Sequence, residues 1–177
     1  MKLSENLQKL LPFGYLFLVI MGILKESVFF YQIGINILKY STLMDILISP
    51  IATLTANPLI LLAVAVVIVL TFSYSLLLSR QRNKKWAQKL SSLKNKEQLS
   101  EEEINRHFTK IFIVAIGMGI LSFFLGMGIG EGGSLKKKIL TNKLTYDRTL
   151  TFNSGEAEQV YLISSNSIYY FYVSKGN

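Results

Sequence analysis

The sequence predicts an α-helical integral membrane protein with three transmembrane helices and a small C-terminal antiparallel β domain. Three observations carry that reading. Half of the 177 residues are hydrophobic and 17% are charged, against roughly 25% charged in soluble domains. Uncharged runs of 20 and 34 residues occur in the middle of the chain, long enough for helices to cross a hydrocarbon layer about 30 Å thick. Beyond Lys143 the helical apolar period gives way to alternation and a run of aromatic residues.

The first element is interrupted. Fifteen uncharged residues, Leu10 to Leu24, are followed by Lys25 and Glu26, and then by 12 more uncharged residues, Ser27 to Leu38. Lys2, Lys9 and the apolar run fit a secretory signal, but no small-x-small cleavage pattern follows Ile20 to Leu24. A helix from near Leu10 past Lys25 to Tyr31 or beyond is the alternative adopted. Lys25 and Glu26 are then either an intramembrane charge element or an interfacial pair where a short span ends, and Asn36 and Asp45 add polar groups nearby. Ser41 to Ser49, ahead of Pro50, reads as a short interfacial helix, so residues 1–56 form a span plus an interfacial segment.

Between Asp45 and Arg80 no residue is charged, and Leu59 to Leu70 is wholly aliphatic. The second span is placed at Pro58 to Leu78, with Pro58 in the first turn and Asn57 as its cap. The third, Ile111 to Gly130, is bounded by Lys110 and Glu131. Residues 57–130 thus make a transmembrane hairpin around a basic loop, 80–110, and residues 131–177 the β domain. Lysine and arginine number 4 in residues 1–56, 9 in 80–110 and 6 in 131–177, which puts the central loop in the cytoplasm and the C-terminal segment across the membrane. Lys136, Lys137 and Lys138 pull the other way, so a swapped or four-segment topology stays open.

Arg80 to Lys96 holds seven basic residues and no acid. Arg80, Arg82, Lys84, Lys85 and Lys89 around Trp86 suit an interfacial anchor over anionic lipid, at about 1 kcal/mol per basic residue. The same stripe also suits a soluble protein partner or a polyanion such as a nucleic acid. Ser100 and Glu103 make a capping box that starts the third helix near Glu101, with His107 on its solvated rim.

The third span is rich in glycine: Gly117, Gly119, Gly126, Gly128, Gly130, Gly132 and Gly133, each costing up to about 1 kcal/mol in an isolated helix. Gly126 with Gly130, and Gly128 with Gly132, form GxxxG steps that let helices approach closely. Two readings follow. One is tight helix packing within or between subunits. In the other, several copies line a pore with Glu131 as a carboxylate ring at its mouth.

Three strands are expected in the C-terminal segment: Lys143 to Phe152, Ala157 to Ser164, and Ser167 to Val173. Tyr169, Tyr170, Phe171 and Tyr172 form a continuous aromatic run expected to be buried on both sides. So small a sheet needs completion, and the turn-like Ser174 to Asn177 suggests a further strand or partner at that edge.

The stretch Gly14 to Ile51 and the tyrosine-rich SNSIYYFYV segment, 166–173, resemble small bacterial inner-membrane proteins. In size and layout these are similar to the multi-spanning accessory proteins found beside RNA-targeting CRISPR nucleases and other phage-defence genes. In layout alone the chain also resembles small-conductance mechanosensitive channels, with three spans, a glycine-rich third helix and a β domain. The resemblance implies a multi-pass inner-membrane location and a role in defence.

Without cysteine and with one histidine, disulfides, thiolate catalysis and cysteine-bound zinc are excluded, and no metal ligand set, nucleophile triad or phosphate loop is found. A non-enzyme with no cofactor is therefore expected. The expected function is that of an oligomeric inner-membrane protein, a pore-forming or membrane-perturbing effector or accessory. The alternative is a membrane-anchored scaffold or sensor that binds its partner through the basic arm without conducting.

Overall fold

The computed structural model describes residues 2–80 and 101–176. It is mostly helical: α1 (Lys2–Tyr31), a 3-10 turn (Ile37–Lys39), α2 (Leu43–Ala56), α3 (Pro58–Arg80) and α4 (Glu101–Leu140) precede β1 (Arg148–Thr151), β2 (Ala157–Ser165) and β3 (Tyr170–Ser174). By packing the chain forms two units, one of Met1–Ala52 with Phe124–Asn177 and the other of Thr53–Phe123.

In the first unit the helix ends are set by local chemistry. The Ile35 amide donates to the Phe30 carbonyl at 3.0 Å and the Gly34 amide to Tyr31 at 3.1 Å. With Gly34 at φ 80°, this is a Schellman stop in the left-handed conformation that glycine adopts without strain. α4 ends the same way, with Lys143 donating to Lys138 at 2.9 Å and Asn142 to Ile139 at 3.2 Å, and with Asn142 at φ 52°. The third helix therefore runs ten residues past Gly130, where the sequence reading ended it. Its glycines lie inside the helix, and the stop signal is Asn142.

α2 opens on a capping box. The Thr42 amide donates to Asp45 Oδ2 at 2.8 Å while the Asp45 amide donates to Thr42 Oγ1 at 3.2 Å. The helix then passes through Pro50 to Ala56, beyond the Ser49 limit expected from sequence. Pro50 has no N–H to give to the Ile46 carbonyl, and that carbonyl fills the space a side chain at Gly22 of α1 would need. Such close approach is typical of Cα–H···O contacts between helices.

The sheet has the order β1-β2-β3, antiparallel throughout, with Arg148 opposite Val160 and Val160 opposite Ser174, and an irregularity between Leu162 and Ser164. β1 and β3 are shorter than the predicted strands, because Lys143 to Asp147 and Ser167 to Tyr169 serve as connections. The aromatic run is not buried on both sides. Tyr169, Tyr170 and Tyr172 are exposed, and Phe171 turns inward to meet Phe30 of α1 at 5.1 Å, edge to face. A single sheet has one covered face, so alternation along β3 divides the run. Phe30, Phe124 and Val160 are among the most deeply buried side chains.

In the second unit α3 and α4 form an antiparallel hairpin. A Cβ at Gly119 would meet Val67 at 3.3 Å, and Phe72 meets Phe112 edge to face at 5.4 Å. Asn57 caps α3, its Oδ1 accepting from the Leu59 amide at 3.0 Å.

Among the described residues two helical segments, Leu11–Tyr31 and Thr109–Leu140, are long and apolar enough to cross a membrane, and the broken pair Leu43–Ala56 with Pro58–Ser73 makes a third if taken as one span.

Candidate functional site

The glycines of α4 divide into two sets. A Cβ at Gly128 would lie 2.6 Å from the Lys25 carbonyl oxygen, and one at Gly132 would lie 2.7 Å from that of Phe29. Both pairs are four residues apart on their own helices, so α1 and α4 run parallel over this turn. A Cβ at Gly126, Gly130 or Gly133 would meet nothing within 4 Å. Gly117 is half-buried. Sequence spacing gave the two GxxxG steps equal weight, whereas the fold fills one and leaves the other open.

Lys25 and Glu26 form an ion pair at 3.3 Å, with side chains 13% and 18% exposed. The Ser49 hydroxyl of α2 donates to the same Glu26 oxygen, and the Ser27 hydroxyl nearby in sequence is buried without a hydrogen-bond partner among the described residues. The pair is thus enclosed between helices, where a charge persists only if it is paired and hydrogen-bonded.

A second polar cluster joins the sheet to α2. Asp45 Oδ1 accepts from the Ser167 amide at 3.1 Å and Oδ2 from its hydroxyl at 3.0 Å. Asn166 donates to the Tyr40 carbonyl at 2.8 Å and accepts from the Tyr169 amide at 2.7 Å. Burial opposes the Asp45 charge, but the bonds from Thr42 and Ser167 outweigh it and hold the carboxyl below its ordinary 3.8. The sequence reading noted Asp45 only as a polar group. Thr42-x-x-Asp45 was the signal for its capping role, and nothing local announced its bonds to Ser167.

A cavity of about 480 Å³ lies where α1, α4 and β2 meet, lined by Phe29, by Glu131, Ser134 and Lys138 on one side of α4, and by Tyr161 and Ile163. Gly130 borders it. Glu131 faces this cavity, about 140° around the helix from Gly126 at 100° per residue.

Of the basic arm, Arg80 is the last residue of α3, while Arg82, Lys84, Lys85, Trp86 and Lys89 lie outside the described residues. Of the β-edge candidates, Tyr170 and Tyr172 face outward and Phe171 inward, while Tyr169, though partly exposed, meets Tyr40 edge to face at 5.7 Å. Among the described residues no group of three or more His, Asp or Glu is arranged to hold a metal ion. Class and site together define a helical protein with two or three span-length apolar helices, a small sheet clasped to the N-terminal region, and an open glycine face. Compared with protein-family models, curated proteins and solved structures, the chain matches none.

Proposed function

We propose that the chain is a multi-pass protein of the bacterial inner membrane that assembles with copies of itself along the open glycine face of α4, and that the assembly acts on the bilayer as a pore-forming or membrane-perturbing element. Membrane residence is supported by where the apolar side chains go. Among the described residues, 8 hydrophobic side chains are buried and 30 large ones are exposed. The chain covers only 22% of the apolar window in α1 and 11% of that in α4. Apolar surface of this extent calls for lipid or a partner.

Helix direction supports three crossings. Two parallel helices that cross one bilayer must be separated by an odd number of crossings, and α3, antiparallel to α4, supplies one. The N-terminus and residues 80–110 then share a side bearing 11 lysines and arginines, namely Lys2, Lys9 and the 9 of the loop. The far side bears 7, Lys39 and the 6 beyond Glu131. The richer side is cytoplasmic, which leaves the sheet outside.

Self-association is carried by one observation: Gly126, Gly130 and Gly133 stand open on an apolar helix whose Gly128 and Gly132 are filled by α1. Neither a turn nor packing within the described residues offsets their cost, and close approach of a second helix does. The stretches 14–51 and 166–173 resemble small bacterial inner-membrane proteins, whose likeness in size and layout to accessory proteins of phage-defence systems supports placing this action in defence. Light scattering corrected for bound detergent is expected to give a closed particle of at least about four copies, and a smaller one for the double variant Gly126→Leu, Gly130→Leu. Ion flux into liposomes should fall with it. A monomeric wild type removes the proposal.

A further inference from the structure

We infer that the cavity between α1, α4 and β2 binds the headgroup of a zwitterionic phospholipid bearing a primary ammonium, phosphatidylethanolamine; this rests on the membrane-spanning reading above. Glu131 and Lys138 lie on the same wall of the cavity, seven residues or about 10.5 Å of helix rise apart. Side chains lean toward the N-terminus of their helix, so Lys138 reaches back toward Glu131.

Among the described residues neither charge is spent on an ion pair, since the pair found there is Lys25–Glu26. Two opposite, uncommitted charges on one wall are complemented by a ligand that carries an ammonium beside a phosphate. Glu131 takes the ammonium, and Lys138 takes the phosphate by a charge-assisted hydrogen bond. The hydroxyls of Ser134, between the two charges, and of Tyr161, across from them, are the further donors for phosphate oxygens. Phe29 and Ile163 give the apolar wall for the start of the acyl chains.

Position fits this occupant. The apolar segment of α4 runs Thr109–Leu140, so its Glu131 to Lys138 stretch sits toward one end of the span, where headgroups lie. Of Lys136, Lys137 and Lys138, the last lines the cavity. An anionic lipid such as phosphatidylglycerol would satisfy Lys138 but set its phosphate against Glu131 with no ammonium between. A cavity of about 480 Å³ holds a headgroup, within the range of small-ligand sites.

The test is native mass spectrometry of the full chain in mild detergent, titrated with palmitoyl-oleoyl phosphatidylethanolamine or phosphatidylglycerol. The ethanolamine lipid is expected to bind about tenfold more tightly, the worth of one charge-assisted contact. Glu131→Gln should bring the two lipids to parity, and Lys138→Gln should weaken both. Both side chains border open space, so neither change disturbs a packed core. Equal binding of the two lipids by the wild type, or a preference unmoved by Glu131→Gln, overturns the site. Displacement of the lipid by millimolar phosphoethanolamine also overturns it, by showing a site for a free zwitterion. Membrane residence is tested separately: a chain that stays in membranes through alkaline carbonate but shows no lipid preference loses the site alone. A chain extracted by carbonate loses both.

Discussion

Asp45 does three jobs with one carboxylate. It caps its own helix with Thr42, it holds the Ser167 amide, and it holds the Ser167 hydroxyl. Because these bonds lower its folded pKa beneath 3.8, their contribution is fully present above the unfolded value and is lost as pH falls through the lowered one. Hydrogen-exchange protection of the Ser167 amide should therefore hold steady from neutral pH down to about pH 5 and fall below the ordinary carboxylate range. Protection that stays flat into strong acid would show that Asp45 does not carry the clasp. Thr42→Ala removes the reciprocal cap alone and is expected to cost about 1 kcal/mol, measured by thermal unfolding in detergent, with the Ser167 bonds retained.

At the scale of elements, α4 separates what sequence shows from what it does not. Its glycine content and its apolar character were legible, because composition is a local signal, while the capping box expected at Ser100 lies outside the described residues. Which GxxxG step meets α1 was not, since Gly126–Gly130 and Gly128–Gly132 have the same spacing and differ only in which side of the helix faces Lys25 and Phe29. The end of α4 was missed because the span was bounded by charge, at Glu131, while the stop lies in the left-handed Asn142. In β3 the aromatic run hid its own alternation, and the role of Phe171 depends on Phe30, far away in sequence. The two glycine sets predict opposite responses to one added methyl group. Gly126→Ala meets open space within one copy and should raise the stability of chains dissociated to monomers in detergent by up to about 1 kcal/mol. Gly128→Ala puts its Cβ 2.6 Å from the Lys25 carbonyl oxygen, so α1 must move and the fold should lose stability. Thermal unfolding of both variants in the same detergent checks the pair, and equal shifts would remove the α1–α4 packing from the account.

For the whole molecule the question is which parts share a side of the membrane. Helix direction is independent of charge counting: α1 and α4 are parallel where their backbones touch, and α3 is antiparallel to α4. Positive charge on the N-terminus and the 80–110 loop points to the same arrangement, although Lys136, Lys137 and Lys138 pull against it. Under the proposed reading the contacts of Gly128 and Gly132 fix only which parts share a side, and the count of 11 lysines and arginines on the side of the N-terminus and loop against 7 on the other assigns that side to the cytoplasm. The chain contains no cysteine, so single cysteines can report sidedness without background. Ser4→Cys and Ser92→Cys should resist a membrane-impermeant maleimide in intact cells and react after lysis. Ser154→Cys, in the exposed turn between β1 and β2, should react in spheroplasts before lysis. If Ser154→Cys is protected together with Ser4→Cys, the number of crossings between them is even, α1 and α4 cannot both span, and the three-span arrangement falls along with the assembly built on it.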